Sequence, residues 1–108
     1  MSEIPYEESS GNVFADLGFA DPEEELVRAD LAHRIASIIE DRGLTQIEAA
    51  AIMGINQPKV SALVRGRLEG FSFERLARYL LALGQDVEIV IRATNGQGHL
   101  RVREESTA

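Results

Sequence analysis

The chain has no cysteine, and its aromatic residues make up only 6% of 108 positions. Without cysteine there is no disulfide and no thiolate metal site, which is compatible with a reducing cytoplasm. No apolar run approaches the roughly 18–20 residues needed to span a bilayer. The opening MSEIPYEESS lacks both the basic and the apolar region of a signal peptide, so cytoplasmic residence is expected. Positive charge is also scarce, with 11 Lys and Arg against 18 Asp and Glu for a net charge of −7. Such a balance makes indiscriminate attraction to polyanions feeble. The few aromatics do not alternate with bases, so nothing supports a single-strand stacking platform. What is present is 44% hydrophobic sequence, enough for one small globular domain with flexible ends.

The charge is unevenly placed. From Met1 to Asp30 nine acids face a single base, Arg28, whereas Gln57 to Arg78 carries five bases against Glu69 and Glu74. Charges separated by more than a Debye length of about 8–10 Å are largely screened. A local basic face can therefore coexist with an acidic segment that suits a basic protein partner.

Residues 1–11 are polar and acidic, and a flexible segment is expected there. Val13, Phe14 and Leu17, closed by Gly18, suggest a helical turn that docks with Phe19. Asp21-Pro22-Glu23-Glu24 is a start signal: Asp caps, Pro takes the first turn, and acids favour the positive dipole end. The helix should run to about Asp41, with Val27, Leu31, Ile35 and Ile38 as its apolar stripe and Gly43 beyond its end. Ser72 caps a further helix, Phe73 to Leu83, with Phe73, Leu76, Ala77 and Leu80 inward and Gly84 after it.

Between these lies LTQIEAAAIMGINQPKVSALVRG, Leu44 to Gly66. Thr45 and Glu48 form a capping box, so a helix starts just after Thr45. Ala49, Ala50, Ile52 and Met53 give it an apolar side, and Gly54 stops it. Ile55 anchors the turn and Asn56 caps a second helix of about residues 57–65, with Pro58 in its first turn. Val60 and Leu63 should face inward, which leaves Gln57, Lys59, Ser61, Ala62 and Arg65 pointing largely outward. That outward set suits base readout in a DNA major groove. Gln pairs with the N6 and N7 of adenine, Lys or Arg with O6 and N7 of guanine, and the Ala62 methyl can touch a thymine methyl. The bland alternative is a solvated face on an ordinary helical domain. The glycine turn at this spacing, with Gln57 at the head of the second helix, favours the DNA reading. Arg67, in the following loop, is placed for phosphate contact.

The same segment resembles the helix-turn-helix of the xenobiotic-response-element family, which includes lambda-type repressors and Cro proteins. The match runs from Leu44 through Thr45-Gln46, Ala50, Met53-Gly54-Ile55, Gln57, Val60-Ser61 and Leu63 to Arg65-Gly66. By that resemblance Gln46 contacts a phosphate, Gln57 reads a base, and Lys59, Ser61 and Arg65 occupy base- or backbone-contacting positions. Pro58 and Ala62 depart from the commonest pattern. Roughly Gly11 to Arg92 is similar to small HigA-type antitoxins, which repress their own operon and sequester a RelE-like toxin. This resemblance implies a dimer, an operator in double-stranded DNA and a basic RelE-like toxin as partners, with no cofactor.

After Gly84 the period changes to two. Val87, Ile89 and Ile91 alternate with Glu88, Val90 and Arg92, a strand signal, and Asn95-Gly96 favours a type I′ hairpin. A two-residue hairpin would oppose Ile91 to Leu100, Ile89 to Val102 and Glu88 to Arg103. Val87, Ile89, Val90 and Ile91 are expected to pair with their copies across a two-fold axis.

The expected architecture is therefore mainly α. Residues 12–84 form a five-helix lambda-repressor-like domain, residues 85–103 a C-terminal strand or hairpin used for dimerisation, and residues 104–108 a tail. The expected function is a sequence-specific transcriptional regulator, the autorepressing antitoxin of a type II toxin–antitoxin system. A stand-alone regulator and a toxin-neutralising module with weak DNA binding remain the alternatives. Enzyme activity is not expected. Ser61 has no His–Asp companions, and neither His33 nor His99 sits in a ligand motif.

Overall fold

In the computed structural model residues 21–105 are described. The acidic segment 1–11 and the helical turn expected about Val13, Phe14 and Leu17 lie outside them. Four helices, rather than the five expected, occur among the described residues: α1 (Pro22–Asp41), α2 (Gln46–Met53), α3 (Gln57–Val64) and α4 (Phe73–Ala82).

Each helix begins where its local chemistry dictates. Asp21 accepts from the Glu23 N–H (3.0 Å) and Pro22 opens α1, with Glu23, Glu24 and Glu25 in the first turn. At α2 both halves of the capping box are made: Glu48 N–H donates to Thr45 Oγ1 (3.0 Å) and Thr45 N–H donates to Glu48 Oε1 (2.8 Å). Asn56 Oδ1 accepts from Lys59 N–H (2.9 Å) at α3, and Ser72 Oγ accepts from Arg75 N–H (3.1 Å) at α4.

One core holds the four together. α1 packs on α4 and α3, and α2 packs on α3 and more lightly on α4. Ile35, Val60, Leu63, Leu76 and Leu83 are essentially sealed from solvent, one or two from each of α1, α3 and α4 and its C-terminal end. Each such side chain contributes about 1.5–3 kcal/mol on burial. The α1 stripe is buried at Val27, Leu31 and Ile35, but its last member is Ile39, with Ile38 half-buried beside it. Phe71 is a core residue, meeting Tyr79 edge-to-face with ring centroids 6.2 Å apart.

The turn between α2 and α3 depends on Gly54, whose φ of +74° is left-handed. Its N–H and that of Ile55 both donate to Ala50 O, at 2.8 and 3.1 Å. A Cβ there would meet nothing within 4 Å, so Gly54→Ala carries only the backbone penalty. A loss of about 1–2 kcal/mol is expected. Urea denaturation should show it as a lower midpoint with an unchanged slope.

The C-terminal segment differs from expectation. Among the described residues there is no strand, and Asn95-Gly96 is a simple bend rather than a hairpin turn. Ile91, Ile89 and Glu88 therefore do not face Leu100, Val102 and Arg103. Residues 99–104 instead run along α1. Leu100 N–H donates to Glu23 Oε1 (3.0 Å), His99 Nδ1 meets Glu23 Oε2, and Glu104 pairs with Arg34 (2.9 Å). Val102 packs against the core. The Leu100 N–H first, and the His99 side chain next, hold the Glu23 carboxyl below its ordinary range. The physical reason for the change is competition. A two-stranded ribbon is marginal in water, whereas Val102 gains apolar contact by lying on the helical domain. The earlier half of the segment is left uncovered, with Ile89 73% and Ile91 91% exposed.

Candidate nucleic-acid interface

The candidate site is the outer side of α3 with the loop that follows it. α3 is eight residues long, and Arg65 is its C-cap rather than its last helical residue. Val60 and Leu63, three apart, are 0% and 1% exposed and fasten the helix to the core. This anchoring sets which way the remaining residues look. Gln57, Pro58, Lys59 and Arg65 are exposed, and Ser61 is half-buried. Ala62 departs from the outward set: it is half-buried and packs against the core, so little of its methyl is open. Gln46, the first residue of α2, is half-buried, and Arg67 is exposed in the loop beyond α3.

The electrostatics favour an anion on this side. Lys59, Arg65 and Arg67 form no ion pair with any described residue, while Arg78 on α4 is paired to Glu74 at 2.7 Å. Three unpaired cations near one helix create a local positive field despite the overall balance. At the head of α3 only the Gln57 N–H is left open, because Pro58 has none and the Lys59 N–H is taken by Asn56.

No group of three or more His, Asp or Glu among the described residues could hold a metal ion. An open cleft lies elsewhere, between α1 and the tail, lined by Glu23, Leu26, Asp30, His99 and Arg101 among others. None of the α3 residues lines it. No helix of the described residues is long and apolar enough to cross a membrane.

Sequence reasoning missed one contributor to this side. Arg28 on α1 reaches across to the loop after α3, where its Nη1 donates to Phe71 O (3.1 Å) and Leu68 O (3.4 Å). Nothing in the periodicity of α1 distinguishes it, because its partners lie 40 and 43 residues along the chain.

Two short helices joined by a left-handed glycine turn, the second presenting its polar side, define a helix-turn-helix protein. The chain belongs to the helix-turn-helix domain family, which matches residues 13–92. Over 68 residues it is 41% identical to a Mycobacterium tuberculosis protein provisionally named antitoxin HigA3, an alignment covering 62% of each chain. Over 61 residues it is 31% identical to a protein of the same organism provisionally named antitoxin HigA2, covering 56% of this chain and 60% of that one. The chain thus spans less than two thirds of these relatives. A solved structure provisionally assigned as an XRE family transcriptional regulator is 46% identical, with a TM-score of 0.72. That similarity covers 82% of this chain and 100% of the other. The domain is thus an XRE-like helix-turn-helix resembling HigA antitoxins.

Proposed function

We propose that the protein is a sequence-specific DNA-binding transcriptional regulator, the autorepressing antitoxin of a type II toxin–antitoxin system. The observation that carries this reading is the two-sidedness of α3: Val60 and Leu63 are locked in the core while Gln57, Lys59 and Arg65 stand open. A rigid short helix with free amide and cationic groups at its outer side fits the major groove. Gln57 is the base reader, with Lys59 and Ser61 beside it. Gln46, Arg65 and Arg67 hold the phosphates, and Ala62 is at most a peripheral contact. The names of the relatives, antitoxins and a transcriptional regulator, support the same reading.

The working form is a homodimer. Val87, Ile89, Val90 and Ile91 are exposed in a segment outside any helix, and residues 86–105 make no backbone–backbone hydrogen bond to the described chain. Pairing with a second copy supplies those bonds and covers the isoleucines. It sets two α3 helices on half-sites about 34–36 Å apart. The acids at the head of α1, of which Glu24 is half-buried and Glu25 exposed, suit a basic toxin of RelE-like type.

The test is a gel-retardation series on the DNA immediately upstream of the protein's own reading frame. Gln57→Ala should lose about 1–3 kcal/mol of binding and relax preference at one base pair. Unchanged binding by Gln57→Ala would remove Gln57 as the reader. Failure of the wild-type chain to retard any upstream fragment would leave the toxin-neutralising module as the better reading.

A further inference from the structure

We propose that Arg28 is a positioning residue: from α1 it clamps the loop after α3 and so sets where Arg67 meets a DNA phosphate. The proposal rests on the DNA-binding reading above and adds a residue from outside the helix-turn-helix to it.

The loop from Gly66 to Phe71 is tied at both ends. At its start Arg67 N–H donates to Ala62 O (2.9 Å), binding the loop to the last turn of α3. At its end Phe71 N–H donates to Leu68 O (3.0 Å) across a four-residue turn with Gly70 at the third position. The φ of Gly70, +83°, is what a type II turn requires there. Arg28 Nη1 donates to the first and last carbonyls of that turn, Leu68 O and Phe71 O. Arg67 is therefore held between the end of α3 and a turn fastened to α1. Phe71 itself is buried, so the far end of the loop cannot swing.

The surroundings of Arg28 argue that this contact is specific. It makes no ion pair with any described residue, and its Nε is buried without a hydrogen-bond partner. Partly burying a guanidinium against carbonyls alone is unfavourable unless its geometry is used. A lysine would bring the same charge as a compact point on a flexible stem, without the two N–H bonds of Nη1 that the planar guanidinium holds toward the two acceptors. Position and charge can thus be separated by substitution.

In the experiment the wild-type chain first selects a duplex from a random-sequence pool. If it selects none, the DNA-binding reading fails, and the clamp with it, before Arg28 is touched. Binding to the selected duplex is then measured over a salt series for Arg28→Met, Arg28→Lys, Arg67→Ala and the two double variants. Both Arg28 variants should weaken binding about tenfold, within the range of couplings between contacting groups. Both should flatten the salt slope by about one unit, as loss of one phosphate contact does. Neither should weaken the Arg67→Ala protein further. Amide exchange at Arg67 and Phe71 should speed up in Arg28→Lys while α4 stays protected. Additive losses in the double variants would overturn the clamp, as would a wild-type salt slope. Wild-type binding by Arg28→Lys would show that charge alone suffices and also overturn it. If Arg28→Met does not fold, the Arg28→Lys measurements decide.

Discussion

Ile89→Asp is expected to yield a folded monomer that has lost most of its affinity for operator DNA. The segment from Val87 to Ile91 lies outside any helix or strand and carries apolar side chains at 37% to 91% exposure. Its main-chain donors and acceptors have no partner in the described chain. In the proposed dimer this uncovered segment becomes a strand paired with its copy. A carboxylate at position 89 would desolvate against the apolar side of the ladder, and a two-fold ladder centred there would set two carboxylates opposite one another, which is destabilising. The helical core is far from the change in bonding terms, since residue 89 contributes nothing to it. Circular dichroism should therefore remain that of the wild type while sedimentation equilibrium reports half the mass. Linking two binding units raises avidity by about 10²–10⁴ over one unit, so the DNA affinity should fall by a factor in that range. A wild-type chain that sediments as a monomer, or an Ile89→Asp dimer, would sink the strand-pairing model of assembly.

Leu63→Ala should produce the largest loss of stability and should cost DNA binding as a consequence. Leu63 is 1% exposed and sits on the inner side of α3, opposite the open polar residues. Truncating a sealed leucine removes transfer free energy and leaves a cavity, together about 2–5 kcal/mol. A domain of this size has only about 5–15 kcal/mol in total. Each kcal/mol shifts the melting midpoint by about 4–8 °C, so the drop should be plain in a thermal scan. Because the cavity lies directly beneath α3, the helix also loses the contact that aims Gln57 and Lys59. Ile47→Ala on the outer side of α2 is the control: at 68% exposure it should change stability by no more than about 0.5 kcal/mol. Equal effects from the two substitutions would mean that α3 is not seated as described.

The parts of this protein that could be read without coordinates are those whose physics closes within a turn of helix. The Thr45–Glu48 box, the Asn56 and Ser72 caps and the stop at Gly54 each involve partners three or four residues apart. Residue type and spacing therefore suffice for them. Helical periodicity likewise placed Val60 and Leu63 inward and Gln57 and Lys59 outward. It did less well at margins. Tyr79 is buried beside Phe71, and Ala62 turns partly into the core, because both depend on how closely a neighbouring helix approaches.

The C-terminal segment shows the limit of pattern reading. Its two-residue alternation says that one side wants cover, and it is silent about what provides it. The local hairpin was a consistent answer, but lying along α1 offers Val102 the core and gives Glu23 and Arg34 polar partners. Arg28 makes the same point for the site itself. Its role exists only because α1 crosses the loop at Leu68 and Phe71.

Chain chemistry alone settled the helix starts, the glycine corner and the polar side of α3, since every hydrogen bond involved is local and is the same in any folded context. Only the packed structure decided where residues 99–104 lie and which cation holds the Gly66–Phe71 loop. Those contacts join residues tens of positions apart, so they form only once the helices have docked.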